Sequence, residues 1–301
     1  VTSIAVAPPE SFGGKAKAFK NLVLLEHSVF ALPFAYISAL TAMFLQNGTI
    51  HWVQLLLITL AMIGARSFAM AVNRIIDREF DARNPRTAKR ELVTGVLSVR
   101  AAWVGALFAL ALFLAAAAAL NPLALELAPL AAVPLIVYPY GKRFTDFPHA
   151  ILMLAQSIGP IGAWIGVTGH WSWDAVVLGL AVGIWIGGFD LIFACQDIET
   201  DQESNLRSVP ARWGVAAALY GARSAHAVTL GLFVLFGLLT HAGVFWWLGL
   251  AAVAGAFCYE HSLVRPNDLS RLNRAFFTVN GFVGITLFCF ALVDLLVRGL
   301  R

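Results

Sequence analysis

Charge is scarce in this 301-residue chain. Asp, Glu, Lys and Arg supply 13% of its residues, against 59% hydrophobic ones, and the mean hydropathy is +0.78. Soluble domains carry about 25% charged residues, so the composition excludes one and points to a polytopic membrane protein. Cysteine is scarce too. Cys195, Cys258 and Cys289 all fall inside apolar runs, and no C-x-x-C pair exists. That argues against a disulfide framework and a thiolate metal site, and leaves them as small apolar packing residues. The first twenty residues lack the apolar core and cleavage site of a signal peptide. With Pro8, Pro9, Gly13, Gly14, Lys15, Lys17 and Lys20 they read as a short cytosolic tail. The pI near 9.2 does not imply nucleic acid, because the basic residues cluster at helix ends, as membrane topology requires.

What the chain has instead is length in apolar runs. Nine of them, at 22–46, 51–73, 99–120, 122–140, 149–168, 174–196, 214–239, 243–261 and 275–298, approach bilayer-crossing length. The expected fold is all-α, a single domain over 1–301 with nine transmembrane helices around a central cavity. Lys and Arg follow the even-numbered runs (Arg74 to Arg100, Lys142 and Arg143, Arg207 and Arg212, Arg265 to Arg274) and precede the first. The short turns after the odd runs carry none. The positive-inside rule then puts the N-terminus and the even loops in the cytosol, in a bacterial-type inner membrane. Arg298 and Arg301 run against this pattern. Trp171, Trp173, Trp246 and Trp247, beside the opposite turns, read as an interfacial aromatic belt.

Acidic residues gather in two places. Asn73, Asp77 and Asp81 recur every four residues as the second run ends, which predicts a row on one helix face. Asp197 and Asp201 repeat the step after the sixth. Carboxylates so close repel unless a cation sits between them. Hard oxygen ligands suit Mg²⁺, which is commonly shared with a substrate's phosphates. Each cluster is followed by Asn, then Arg and a hydroxyl: Asn84-Pro85-Arg86-Thr87 with Arg90, and Asn205-Leu206-Arg207-Ser208 with Arg212. This faint repeat predicts two clusters facing each other at the cytosolic ends of a bundle, holding a diphosphate between them.

Bases on the same side, Arg86, Arg90, Lys142, Arg143 and Arg207, can donate to diphosphate oxygens. Arg66 lies about two turns before Asn73, deeper in the membrane, where an anionic acceptor such as an aromatic carboxylate would be its partner. Asp190, seven residues before Asp197, either pairs with Arg66 or touches an acceptor hydroxyl. Glu26 and His27 read as an interfacial pair, and Glu126, Asp174 and Asp294 as structural. Some of the 22 phenylalanines can line an isoprenoid channel.

Asn73-Arg74-x-x-Asp77-Arg78-x-x-Asp81-Ala82-Arg83-Asn84-Pro85-Arg86-Thr87 and Asp190-x5-Gln196-Asp197-x3-Asp201 resemble the two signatures of the UbiA superfamily of intramembrane aromatic prenyltransferases, and the resemblance runs the length of the chain. It implies Mg²⁺, a polyprenyl diphosphate donor and an acceptor pocket open to membrane lipid. Asn73, Asp77, Asp81, Asp197 and Asp201 would hold the metal–diphosphate. Arg86, Arg90 and Lys142 would bind its oxygens, and Arg66, Tyr138 and Asp190 would lie near the acceptor. The chain is most similar to the 4-hydroxybenzoate polyprenyltransferase-like branch. Within that branch, Glu26 to Ala35 and Arg90-Glu91-Leu92 resemble the subgroup of the futalosine route to menaquinone, which implies 1,4-dihydroxy-6-naphthoate as acceptor. Another branch of the same superfamily, acting on haem or another naphthoate acceptor, is the alternative the motifs leave open, and two rival readings of other classes fit less well. A cation-coupled transporter places its carboxylates near the midplane in broken helices. A CDP-alcohol phosphatidyltransferase needs an Asp-Gly pair that is absent.

Overall fold

The computed structural model describes residues 14, 18, 19, 22 and 31–301. Lys15, Lys17, Lys20, Glu26 and His27 lie outside the described residues, and so do the readings that rest on them. The helices are α1 (Leu32–Gln46), α2 (Trp52–Ile76), α3 (Arg78–Arg83), α4 (Val99–Leu120), α5 (Pro122–Val137), α6 (Gly141–Phe144), α7 (Pro148–Thr168), α8 (Trp173–Ala194), α9 (Ile198–Glu203), α10 (Val209–Leu239), α11 (Val244–Leu263) and α12 (Asn280–Val297). A π-helical turn, Arg274–Val279, leads into α12. Among the described residues there is no strand, only an isolated bridge between Arg265 and Asp268.

Nine long helices among the described residues lie along the nine apolar runs, with α1 described only from Leu32. Seven segments, containing α2, α4, α5, α7, α8, α10 and α12, are long and apolar enough to cross a membrane. Their ends follow local chemistry. Ser98 accepts from the Ala101 amide at the start of α4, and Asn121 caps α5 ahead of Pro122 at its first turn. Asn121 also donates to Ile165 O at 2.8 Å, tying this turn to the end of α7. The run 122–140 is not one α-helix: α5 stops at Val137 and Tyr138–Tyr140 is a 3-10 turn, since Pro139 has no N–H to continue the ladder.

The helices close a ring. α2 packs on α4, α4 on α5, α5 on α7, α7 on α8, α8 on α10, α10 on α11, α11 on α12 and α12 on α1. α1 also lies along α7 and touches α2. Contacts between apolar helices in lipid depend on close backbone approach. A Cβ at Gly64 would stand 2.7 Å from Phe113 N, and one at Gly179 2.5 Å from Ser157 O. These glycines let α2 meet α4 and α8 meet α7. The interior is aromatic. Phe34 packs between Trp185 and Phe233, and Phe233 meets Trp246 edge-on.

Trp246 is therefore core, at 2% exposure, and not part of an interfacial belt, whereas Trp171 and Trp173 are exposed as a belt requires. Arg298, one of the two contrary charges at the C-terminus, pairs with Asp294 at 3.3 Å and donates to Thr240 O. Asp294 also accepts from the amides of Gly243, Phe245 and Trp246, the structural role expected of it. The Arg301 amide meets Gly48 O at 2.8 Å, so the C-terminus lies at the end of the bundle opposite the acid clusters.

Candidate active site

Both acid clusters sit where a long helix breaks. α2 ends at Ile76 and Asp77 (φ −91°, ψ 5°) begins the six-residue α3. α8 ends at Ala194, and a 3-10 turn, Cys195–Asp197, leads into the six-residue α9. Asn73, Asp77 and Asp81 are thus not a row on one continuous helix. The four-residue neighbourhood survives the bend: Asn73 Nδ2 donates to Asp77 Oδ2 at 3.3 Å, and the Asp81 amide to Asp77 O at 2.8 Å. The repeat expected from the sequence is a repeat of structure, with each first Asp at a break and each second Asp buried on a short helix.

The clusters face each other. Asn84 Nδ2, from the loop after the first, donates to Asp197 Oδ1 of the second at 2.9 Å. Arg86 grips the same carboxylate with both ends of its fork, Nε to Oδ1 at 3.1 Å and Nη2 to Oδ2 at 2.7 Å. Arg90 pairs with Asp81. Lys142 Nζ holds both oxygens of Asp201, at 3.0 and 2.9 Å, and Ser208 Oγ adds a bond at 3.1 Å. Arg143 reaches Asp77 at 3.5 Å while donating to Ile76 O at 2.8 Å, where it finishes α2. Every motif carboxylate therefore has its own base.

Arg207 stands apart. It donates to Phe144 O at 3.2 Å, and its amide to Lys142 O at 2.7 Å. It lines a separate cavity of about 400 Å³ with Asp146, Asn205 and Arg212, so its contacts brace the Lys142 loop and touch none of the motif acids.

Burial, then the charge of Asp81, pushes the Asp77 carboxyl up to about 6, against Arg143 and Lys142. Among the described residues no three His, Cys, Asp or Glu side chains converge as a ready metal cage. The donor set still fits a hard divalent cation: four carboxylates in two facing pairs, with the Asn73 amide beside the first, all offering oxygen.

On the membrane side, the Nε of Arg66 is buried with no hydrogen-bond partner. Arg66 and Asp190 do not pair. Asp190 Oδ2 meets His149 Nδ1 at 2.7 Å instead. Tyr138 lies within electrostatic range of Asp190, Asp77, Asp197 and Asp201. An aromatic series leads inward from Arg86: Phe193 at 5.1 Å from the guanidinium, then Phe276, Phe189 and Trp185, each ring within 5.3 Å of the next.

The sequence reading named several polar residues here only as parts of a repeat or motif, without a role, and passed over His149. Asn84, Thr87 and Ser208 support the motif acids, and Arg74 is buried within range of Asp77 and Asp81. The Asn-x-Arg-hydroxyl repeat was the available signal for three of them. His149 gave none, because its partner is 41 residues away.

The model of the UbiA prenyltransferase family matches residues 33–282. The 4-hydroxybenzoate octaprenyltransferase of Pseudomonas aeruginosa is 31% identical over 252 residues, 84% of each chain. That of Nitrosospira multiformis is 33% identical over 245 residues, covering 81% of this chain and 83% of its own. The apo structure of a UbiA homolog from Aeropyrum pernix K1 superposes with a TM-score of 0.81 at 32% identity, over 89% of this chain and 98% of that one. A UbiA homolog from Archaeoglobus fulgidus bound to DMAPP and Mg²⁺ shares the fold, with a TM-score of 0.70 at 21% identity over 93% and 99%. The chain belongs to the UbiA prenyltransferase family.

Proposed function

We propose that the protein transfers a polyprenyl group from polyprenyl diphosphate to a ring carbon of an aromatic hydroxy-carboxylate, with Mg²⁺, in the biosynthesis of a respiratory quinone. One observation carries this reading. Four carboxylates and four bases, drawn from the two acid-cluster segments and the short helix α6 that carries Lys142 and Arg143, stand in pairs at one end of the bundle. A metal cation with a diphosphate supplies both halves of that exchange: the cation suits the carboxylates, and the diphosphate oxygens suit the bases. Asn73, Asp77, Asp81, Asp197 and Asp201 are the residues to hold the metal. Arg86, Arg90, Lys142 and Arg143 are those to take the diphosphate oxygens, with Arg207 bracing the Lys142 loop.

Bound Mg²⁺ offsets the diphosphate's charge and makes it a better leaving group. The bases share that task as the C–O bond opens toward an allylic cation. The aromatic series of Phe193, Phe276 and Phe189 gives that cation an apolar flank. Arg66, with its unpartnered Nε, receives the acceptor's carboxylate and turns its phenolic edge toward Tyr138 and Asp190. Two acceptors satisfy this chemistry. The names of the relatives favour 4-hydroxybenzoate, and Glu91 after Arg90 favours 1,4-dihydroxy-6-naphthoate. The acid clusters face the cytosol, with all nine long helices crossing a bacterial inner membrane and the N-terminus inside. The basic loops beside the clusters support this orientation.

The test is purified protein with Mg²⁺ and a labelled polyprenyl diphosphate, offered both acceptors in parallel. Labelled quinone precursor that disappears on chelation supports the reading. No product with either acceptor, or turnover indifferent to chelation, contradicts it.

A further inference from the structure

We infer that His149 and Asp190 form a proton-accepting dyad for the acceptor's phenolic hydroxyl, with His149 as the catalytic residue and Asp190 as its positioning partner. This rests on the prenyl transfer proposed above and names the group that activates the ring.

The geometry comes from three elements. His149 is the second residue of α7, directly after Pro148, which packs on Gly141 beside Lys142. Asp190 stands in the last turns of α8, seven residues before Asp197. Tyr138, at the end of α5, lies within range of the Asp190 charge. His149 is 3% exposed. Its Nδ1 lies 2.7 Å from Asp190 Oδ2, while its Nε2 is buried with no hydrogen-bond partner. With Nδ1 donating to Asp190 Oδ2, the neutral imidazole presents a lone pair at Nε2. A buried lone pair without a donor, beside the metal–diphosphate residues, suits a ligand that brings an O–H. A phenolic acceptor brings one.

The step balances as follows. The acceptor's O–H donates to Nε2. The C–O bond of the polyprenyl diphosphate breaks, and its electron pair leaves with the diphosphate. A ring π pair on the carbon beside the hydroxyl forms the new C–C bond. The O–H pair becomes the C=O of a neutral dienone, and its proton moves to Nε2, giving an imidazolium held by Asp190. The imidazolium then returns that proton to the oxygen while the released diphosphate takes the ring hydrogen as a proton. The products are the prenylated phenol and protonated diphosphate.

The test compares wild type, His149→Gln, His149→Ala and Asp190→Asn on ring-fluorinated derivatives of whichever acceptor the wild type uses, ordered by phenol acidity. His149→Gln keeps a polar side chain of similar reach but cannot take a proton, so it guards against simple misfolding. Loss of a positioned base typically costs on the order of 10²-fold or more, so kcat should fall by about that much with the parent acceptor while its KM changes little. The deficit relative to wild type should shrink steadily as the phenol ionises without help. A packing role would lower all acceptors alike, so a constant deficit across the series, or an unchanged kcat in His149→Gln, overturns the dyad. A wild type that prenylates no phenolic acid overturns the proposed function and the dyad with it.

Discussion

Lys142 Nζ lies 3.0 and 2.9 Å from the two carboxylate oxygens of Asp201, and the Asp201 side chain is only 4% exposed. Such a pair is held by both loops at once, because the Lys142 carbonyl also accepts from the Arg207 amide. Removing one partner of a buried charge pair costs about 2–5 kcal/mol, much of it from the charge left behind. Lys142→Ala is therefore expected to raise the apparent KM for polyprenyl diphosphate at least tenfold and to lower kcat. Steady-state kinetics at saturating acceptor reads both.

The Asp77 carboxyl, pushed up to about 6 by burial and by Asp81, sets a pH dependence. A folded-state pKa above the unfolded value of about 3.9 means that the protonated form is the favoured one on folding. Its contribution to stability is full below about pH 4 and is lost as pH rises through 6. Without Mg²⁺ the wild type should melt at a higher temperature near pH 5 than near pH 7.5, and Asp77→Asn should reduce that difference. Added Mg²⁺ competes with the proton, so its stabilising effect should be larger at pH 7.5. Scanning fluorimetry in detergent at the two pH values checks each sign.

Arg66 lies well inside α2, and its Nε has no partner. Arg66→Ala should raise the acceptor KM by a factor equivalent to about 2–5 kcal/mol, with little change in polyprenyl diphosphate affinity. Acceptor analogues without the carboxylate should be turned over by the variant about as well as the parent acceptor. Unchanged acceptor KM with weakened diphosphate binding would move Arg66 into the diphosphate site.

A second buried network joins four elements. Trp185 Nε1 donates to Asn280 Oδ1 at 2.9 Å, and Asn280 Nδ2 donates to Glu260 Oε1 at 3.0 Å. His226 Nδ1 stands 3.0 Å from His261 Nε2 and 3.5 Å from Glu260 Oε2. Asn280→Ala strands two buried groups, each costing about 1–3 kcal/mol, and should lower the melting temperature markedly. Glu260→Gln keeps an acceptor for Asn280 and should cost far less. Thermal unfolding in detergent separates the two.

Much of this was legible because lipid imposes simple rules. Apolar length located the long helices, and the charge pattern sorted their connections. The four-residue acid steps marked the candidate site. The backbone breaks at Asp77 and at Cys195–Asp197 were not legible: a switch from apolar to polar shows where a span ends, but not that the chain turns there. Nor was the end of α5 legible: the apolar run continues through Pro139, and Pro129 and Pro134 lie inside the helix without ending it. One of two readings of Asp190, beside contact with an acceptor hydroxyl, paired it with Arg66, because each lies seven residues inward of a motif residue, Asn73 or Asp197. The ring order decided otherwise, by packing α7, and with it His149, against α8. Glu260 and His226 carried a readable signal, an ionisable group within an apolar run. Their partners on other helices did not, since spacing says nothing of contacts between helices.

The central claim is that two facing acid clusters together hold the metal and the diphosphate. Its most direct test is the Mg²⁺-dependent transfer rate of Asp77→Ala and of Asp197→Ala, each shown to be folded in detergent. Metal charge stabilisation of several kcal/mol predicts that either substitution alone lowers the rate by at least about 10²-fold. A rate within twofold of wild type in both variants would contradict the two-cluster site.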